Sequence, residues 1–382
     1  MNALNRAPAG LLRTAPLYAG FAATGVGVAL PGVLLPALLV QWRLTFEQGG
    51  RLFLLAWIGS SLGALLVHHA LRTTLLLGSL ATAAGSLLLA FTSGRSADAS
   101  IALYGLGLGL TMTSITLIRR QTSHHIGTDL VRLNLFWAIG ACACPSLALR
   151  AVTRGNLHPV LCGLALCFAC LALWTLFQPR WKSTAATHAN PAPWAVFRNV
   201  PLGLLLLTTL ITGVEASAGG WLATYARRGG HPIADMIAAP TCFWAGLLLS
   251  RALWSNSRIR IAHATTVRGS LGLMAIASVL LISGTGGPLI LFAAFLLGFG
   301  IGPTYPLLLA WAIRFQPGGA IFFLAGVGSA CLPWLTGLVS TRQHSLRMGL
   351  IVPTATSILL LAIALAGPLA QWSREDPAPP RL

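Results

Sequence analysis

Glu215 is the residue of this chain best placed to do chemistry. It sits near the middle of an apolar run from about Pro201 to Tyr225, long enough to cross a bilayer, and no other carboxylate of the sequence is so placed. An isolated charge at that depth costs several kcal/mol, so such groups face a cavity or another polar group. A carboxyl there can stay neutral, pair with a cation, or change protonation with its surroundings. The competing reading is an acid that only hydrogen-bonds a neighbouring helix. Ionisable residues inside a membrane are functional-site candidates by default, and the functional reading is preferred.

The remaining ionisable residues lie nearer to the ends of apolar runs. Arg251 is either an ionic partner, for a gate or for an anionic substrate, or a side chain that snorkels to the membrane surface. His68 and His69 are candidates for a pH-sensitive gate, histidine being the side chain that ordinarily changes charge near neutral pH, but their position at a helix end favours plain solvation. Asp129 and Asp235 read as loop or cap residues. The cysteines are Cys142, Cys144, Cys162, Cys167, Cys170, Cys242 and Cys331, all in apolar stretches. Cys167 and Cys170 have CxxC spacing without a nearby His or acid, so buried packing is expected rather than redox or zinc chemistry. No phosphate-binding loop, metal-ligand cluster or nucleophile signature occurs. The expectation is therefore no metal, no cofactor and no enzyme. Without an ATP-binding loop, any transport is facilitated or driven by an ion gradient.

These residues need membrane helices to position them. The 382 residues are 55% hydrophobic and 8% charged, with a mean hydropathy of +0.77. Soluble domains carry about 25% charged residues, so the chain reads as an all-α integral membrane protein. The net charge of +18 is almost wholly arginine, Lys182 being the only lysine. It is scattered over loops, which points away from nucleic acid and towards arginines that set topology. Twelve candidate transmembrane helices follow, at about 16–40, 50–70, 73–92, 99–118, 131–152, 158–177, 201–226, 235–254, 265–284, 288–313, 319–341 and 347–370. The first run is too long for the core of a signal peptide and lacks a cleavage site, so it is expected to remain as a span. With the N-terminus inside, 16 of the 25 basic residues fall on the cytoplasmic side, the bias of the positive-inside rule. Both termini are expected to be cytoplasmic, in the cell's inner membrane.

The longest polar break runs from Gln178 to Asn199 and contains Pro191 and Pro193. It divides the chain into an N-terminal six-helix half (1–178), a cytoplasmic linker (179–199) and a C-terminal six-helix half with a short tail (200–382). An internal repeat supports the division. Thr24-Gly25-Val26 corresponds to Thr212-Gly213-Val214, an offset of 213 − 25 = 188. Gly140 to Pro145 corresponds to Gly328 to Pro333, again 328 − 140 = 188. The glycine-rich starts of the fourth and tenth spans align best with Gly107 against Gly298, at 298 − 107 = 191. Small residues there let helices approach closely.

Two parallel six-helix repeats are the plan of the major facilitator superfamily, whose substrate path lies between the halves. The chain resembles that superfamily over almost its whole length. A closer resemblance, to the fucose–galactose–proton symporter branch, rests on Gly213-x-Glu215-x-Ser217-x-Gly219-x-Trp221-Leu222. It is supported by Leu133 to Trp137 with Gly140 and Pro145, by Phe243-Trp244-Ala245-Gly246, and by Gly302-Pro303-x-Tyr305-Pro306. The resemblance implies uptake of a hexose or similar polyol with a proton, the alternative being that coupling is absent and the protein is a uniporter. A sugar needs hydrogen-bonding groups and an aromatic surface. Asn134, Glu215, Thr24, Thr111, Thr113 and Ser114 are candidates for the first. Trp137, Trp221, Tyr225, Trp244, Tyr305 and Trp311 are candidates for the second, Trp137 and Trp244 lying deepest.

The chain departs from the branch in two places. Proton-coupled members use acids in the first and fourth helices, and here those spans hold neither Asp nor Glu, so any proton coupling must run through Glu215. The superfamily's gating Asp after the second span is also missing between Gly63 and Arg72. Arg72 remains as a gating candidate, and Arg251 belongs to the related pattern that begins at Gly246. The expected function is a transporter of a small polar organic solute, a sugar or polyol, by alternating access in the lipid bilayer. The alternatives are an exporter of an amphipathic metabolite, drug or iron chelator, and a membrane sensor. A sensor would call for a large soluble output domain, which is not expected in this sequence.

Overall fold

The computed structural model describes residues 7–67, 70–122, 126–178, 195–228, 233–254, 262–284, 286–316 and 319–373. His68, His69 and residues 179–194 of the expected linker lie outside them. Twelve helices among the described residues are long and apolar enough to cross a membrane. They are α1 Ala7–Gln41, α2 Phe46–Leu66, α3 Leu71–Phe91, α4 Arg95–Thr122, α5 Ile126–Arg154 and α6 His158–Leu176. The second set is α7 Leu202–Arg228, α8 Ile233–Trp254, α9 His263–Ser283, α10 Gly287–Phe315, α11 Gly319–Arg342 and α12 Ile351–Ala366, whose span begins at Leu346 in a short preceding helical turn. The chain is a multi-pass membrane protein with no strand among the described residues.

Local chemistry explains several helix ends. Thr45 and Gln48 form a reciprocal capping box at the start of α2, which satisfies two otherwise unpaired donors. Prolines stand in the first turns of α6 and α10, where the missing N–H is no loss. Helix α5 begins at Ile126, earlier than the sequence implied, so Asp129 lies inside its opening turns, and Asp235 lies in those of α8. Val196 and Val200, around the short helix Val196–Asn199, are buried. Asn199 donates from Nδ2 to Gln316 Oε1 at 3.1 Å, so this end of the expected linker is packed against the second half.

The packing repeats. Within the first half α1 packs on α5, α2 on α4, α3 on α4, and α3 on α6. The second half repeats each contact six helices later, as α7 on α11, α8 on α10, α9 on α10, and α9 on α12. The paired glycines mark equivalent crossings. A Cβ on Gly140 would stand 1.9 Å from the Ala22 carbonyl oxygen, and one on Gly328 would stand 1.8 Å from that of Thr209. The neighbouring threonines repeat too, since Thr24 bonds the Phe21 carbonyl and Thr212 that of Thr209.

The α4/α10 alignment needs correction. Gly105 meets the Ala56 carbonyl just as Gly298 meets that of Phe243, each at 1.9 Å from an added Cβ. The true offset is therefore 298 − 105 = 193, because Gly107 faces Thr82 on α3 instead. The cysteines need one as well. Cys144 is buried, whereas Cys167 and Cys170, three residues apart on one face of α6, are exposed at the helix surface. All seven are free thiols.

Candidate functional site

A cavity lies between the halves, with about 1350 Å³ of atom-free space including its mouth. Its closed end is the α1/α7 crossing, where Gly32 approaches Gly219 so closely that a Cβ would stand 2.2 Å from the Gly219 carbonyl oxygen. Beyond that crossing, Arg227 Nη1 donates to the Pro36 carbonyl at 2.8 Å. The Glu47 N–H donates to Thr341 Oγ1 at 2.8 Å, joining α2 to α11. All these contacts tie the two halves at the membrane face away from the chain termini. Towards the opposite face the lining reaches Ala64, Thr113, Asn134 and Phe322, with Asn134 exposed. The mouth thus faces the side that carries the termini.

Glu215 and Arg251 are the charged side chains that line this cavity among the described residues. Arg251 owes its place to a proline. Pro306 has no N–H to give the carbonyl four residues earlier in α10, which leaves Gly302 O free, and Arg251 Nε donates to it at 3.2 Å. The guanidinium lies over the Trp137 ring, 5.1 Å from its centroid, a cation–π contact. Trp137 in turn meets Trp244 edge-on at 5.7 Å. Gly219 makes room for that pair, since a Cβ there would stand 2.8 Å from the Trp244 ring. The Arg251 Nη nitrogens and the Glu215 carboxylate make no hydrogen bond to any described residue and remain open to the cavity. Glu215, Arg251 and Tyr305 lie within electrostatic reach of one another. The ion pair formed within 4.0 Å among the described residues is a different one, Arg51–Asp98.

Of the residues singled out from sequence, Glu215, Asn134, Trp137, Trp244 and Tyr305 line this one cavity, as does Thr113. Trp221 does not. It is fully buried, donates from Nε1 to the Pro333 carbonyl at 3.0 Å, and packs edge-on against Phe46 and Phe53. It therefore clamps α7 to α11 and α2. Thr24 is also away from the wall, with its hydroxyl turned back to Phe21 O at 2.6 Å. Arg72 bonds the carbonyls of Thr175 and Leu176, which closes the end of α6 within its own half and bridges nothing across the cavity. Arg251, for which snorkelling to the membrane surface was one reading, is a wall residue.

Sequence reasoning missed the first-half counterparts of the second-half wall residues, which the repeat could have found. Gly59 meets the Ala102 carbonyl as Gly246 meets that of Phe295, so α2 and α8 align at 246 − 59 = 187. Trp244 then corresponds to Trp57 and Arg251 to Ala64. By the other offsets, Glu215 corresponds to Gly27, Tyr305 to Met112, and Asn134 to Phe322. All five counterparts line the cavity. Where the second half presents Glu215, Arg251 and Tyr305, the first presents Gly27, Ala64 and Met112. One wall carries both charges of the cavity, and the other carries none among the described residues.

Neither a protein-family model nor a curated protein sequence matches the chain. Solved structures do. The nucleoside transporter NupG is similar at 15% identity with a TM-score of 0.70, covering 95% of this chain and 99% of that one. The major facilitator superfamily transporter FucP, in its outward conformation, is similar at 15% identity with a TM-score of 0.66, over 93% of this chain and 98% of that one. The human organic anion transporter MFSD10 is similar at 15% identity with a TM-score of 0.68, over 92% and 98%. All three are transporters. The chain has the major facilitator fold.

Proposed function

We propose that the protein is a secondary transporter that moves a small polar organic solute by alternating access, with Glu215 as the group that binds the coupling proton. The observation that carries this reading is the placement of Glu215 and Arg251, open and without a direct ionic partner, in a cavity between two repeats. Asn134 and Tyr305 supply hydrogen-bonding groups beside them, and Trp137 and Trp244 supply ring faces. This combination suits a sugar or polyol, and it also suits a ring solute with polar substituents. FucP and NupG share the fold that holds such a cavity. In this reading both termini are cytoplasmic, the membrane is the inner membrane, and the cavity opens inwards.

If Glu215 carries the proton, Glu215→Gln abolishes proton-driven accumulation in proteoliposomes and spares counterflow exchange. Undiminished uphill uptake by that variant would sink the proposal. A second reading, export of an amphipathic metabolite, is favoured by the apolar part of the first-half wall around Phe53, Trp57 and Met112. It requires solute to leave cells or right-side-out vesicles against its gradient when a proton gradient is imposed.

A further inference from the structure

We infer that the solute carries a carboxylate, which Arg251 receives, and an apolar or ring face that lies against Phe53 and Trp57 on the first-half wall. This inference rests on the reading of the cavity as a solute site. Arg251 is a guanidinium in the cavity wall of a membrane protein, and a charge there without a partner is costly. Its Nε–H is satisfied by Gly302 and its face by Trp137, yet neither Nη nitrogen hydrogen-bonds a described residue, and the side chain lines the cavity. Those two nitrogens present the forked donor pair that matches a carboxylate bidentately.

A neutral solute leaves this fork unpaired. Had Arg251 served only to neutralise Glu215, the two would form a contact ion pair, and they do not come within 4.0 Å. The space between them admits a ligand group instead. The groups within electrostatic reach of Glu215 are Arg251 from α8 and Tyr305 from α10, and the described residues from α1, α2, α4, α5 and α11 that line the cavity carry no charge. With a proton on Glu215 the site bears one net positive charge, and a monocarboxylate makes it neutral. A phosphate dianion would leave an excess negative charge beside Glu215 and finds no second cation, so the single carboxylate is the better fit.

The first-half wall sets the rest of the solute. The counterparts of Glu215, Arg251 and Tyr305 there are Gly27, Ala64 and Met112, which offer no charged partner to a second ionic group. Phe53 and Trp57 on the same wall give an apolar surface for a ring or a sugar's carbon face.

Purified protein is tested by thermal unfolding against carboxylates, each matched to a neutral analogue: galacturonate against galactose, quinate against inositol, and phenylacetate against phenylacetamide. Ligand binding to the folded state raises the unfolding temperature by mass action. At least one acid is expected to bind about tenfold or more tighter than its neutral partner, about 1.4 kcal/mol. Arg251→Gln removes that preference and Glu215→Gln retains it. Should Arg251→Gln not fold, Arg251→Lys, which keeps the charge but loses the fork, is expected to weaken the acid several-fold and leave the neutral analogue unchanged. Neutral analogues binding as tightly as their acids, or a preference that survives Arg251→Gln, overturns the carboxylate assignment while leaving a solute cavity in place. Binding by no compound also overturns it, whereas the wider transport reading stands or falls on the Glu215→Gln assay.

Discussion

At the scale of single residues, two prolines of the spanning helices act through the carbonyls they leave free. Pro306 frees Gly302 O, which Arg251 takes. Pro31 in α1 frees Gly27 O, and the Tyr104 hydroxyl donates to it at 2.6 Å. Gly27 is the first-half counterpart of Glu215, so the two halves fill equivalent depths by different means. Tyr104→Phe leaves that buried carbonyl unpaired and is expected to lower stability by about 1–3 kcal/mol, read as a fall in unfolding temperature. Pro306→Ala returns an N–H to the Gly302 carbonyl and takes it from Arg251. Its expected signature is a loss of the acid-over-neutral preference without a loss of unliganded stability, because Ala suits a helix interior better than Pro. A variant that keeps the full preference would show that the Gly302 bond does not position Arg251.

At the scale of helices, glycine sets how closely the elements approach. Gly105→Ala drives a methyl into the Ala56 carbonyl, 1.9 Å away before relaxation. Separating α2 from α4 is expected to cost about 1–3 kcal/mol, as overpacking does. Gly269→Ala in α9 meets nothing within 4 Å and is expected to be neutral or stabilising by up to about 1 kcal/mol. Unfolding temperatures of the two variants, compared with the parent, check the contrast. Much of this architecture was legible in sequence, because a span declares itself by length and hydropathy, and a backbone crossing demands glycine. What sequence could not give was the rotational setting of each helix. Trp221 and Trp244 sit in similar glycine-rich surroundings, yet one clamps three helices and the other lines the cavity. Arg251 looked like an end-of-helix cation because its depth depends on a bond to a different helix. The polar side of the cavity was found from single unusual residues. The counterparts Gly27, Ala64 and Met112 went unseen because they carry no chemical signal of their own, and only the repeat offset points to them.

At the scale of the whole molecule, the contacts between halves are unequal at the two membrane faces, and alternating access requires that inequality to reverse. At the closed face, α1 meets α7 and α2 meets α11 through backbone-level approaches, with Arg227 on Pro36 and Glu47 on Thr341 as the polar ties. For the cavity to open there, these ties must break while the halves stay folded. Preventing their separation therefore arrests turnover without emptying the site. The test places cysteines at Glu47 and Thr341 in a background where the exposed Cys167 and Cys170 are alanine, and joins them with a short bifunctional thiol reagent. The cross-linked protein is expected to lose both net uptake and counterflow and to keep solute binding by thermal unfolding, since the mouth lies at the opposite face. Reversing the cross-link with a cleavable reagent is expected to restore transport. Continued counterflow with the tie intact would mean that this face need not part for the solute to pass, and the rocking of one repeat against the other would have to be abandoned as the mechanism.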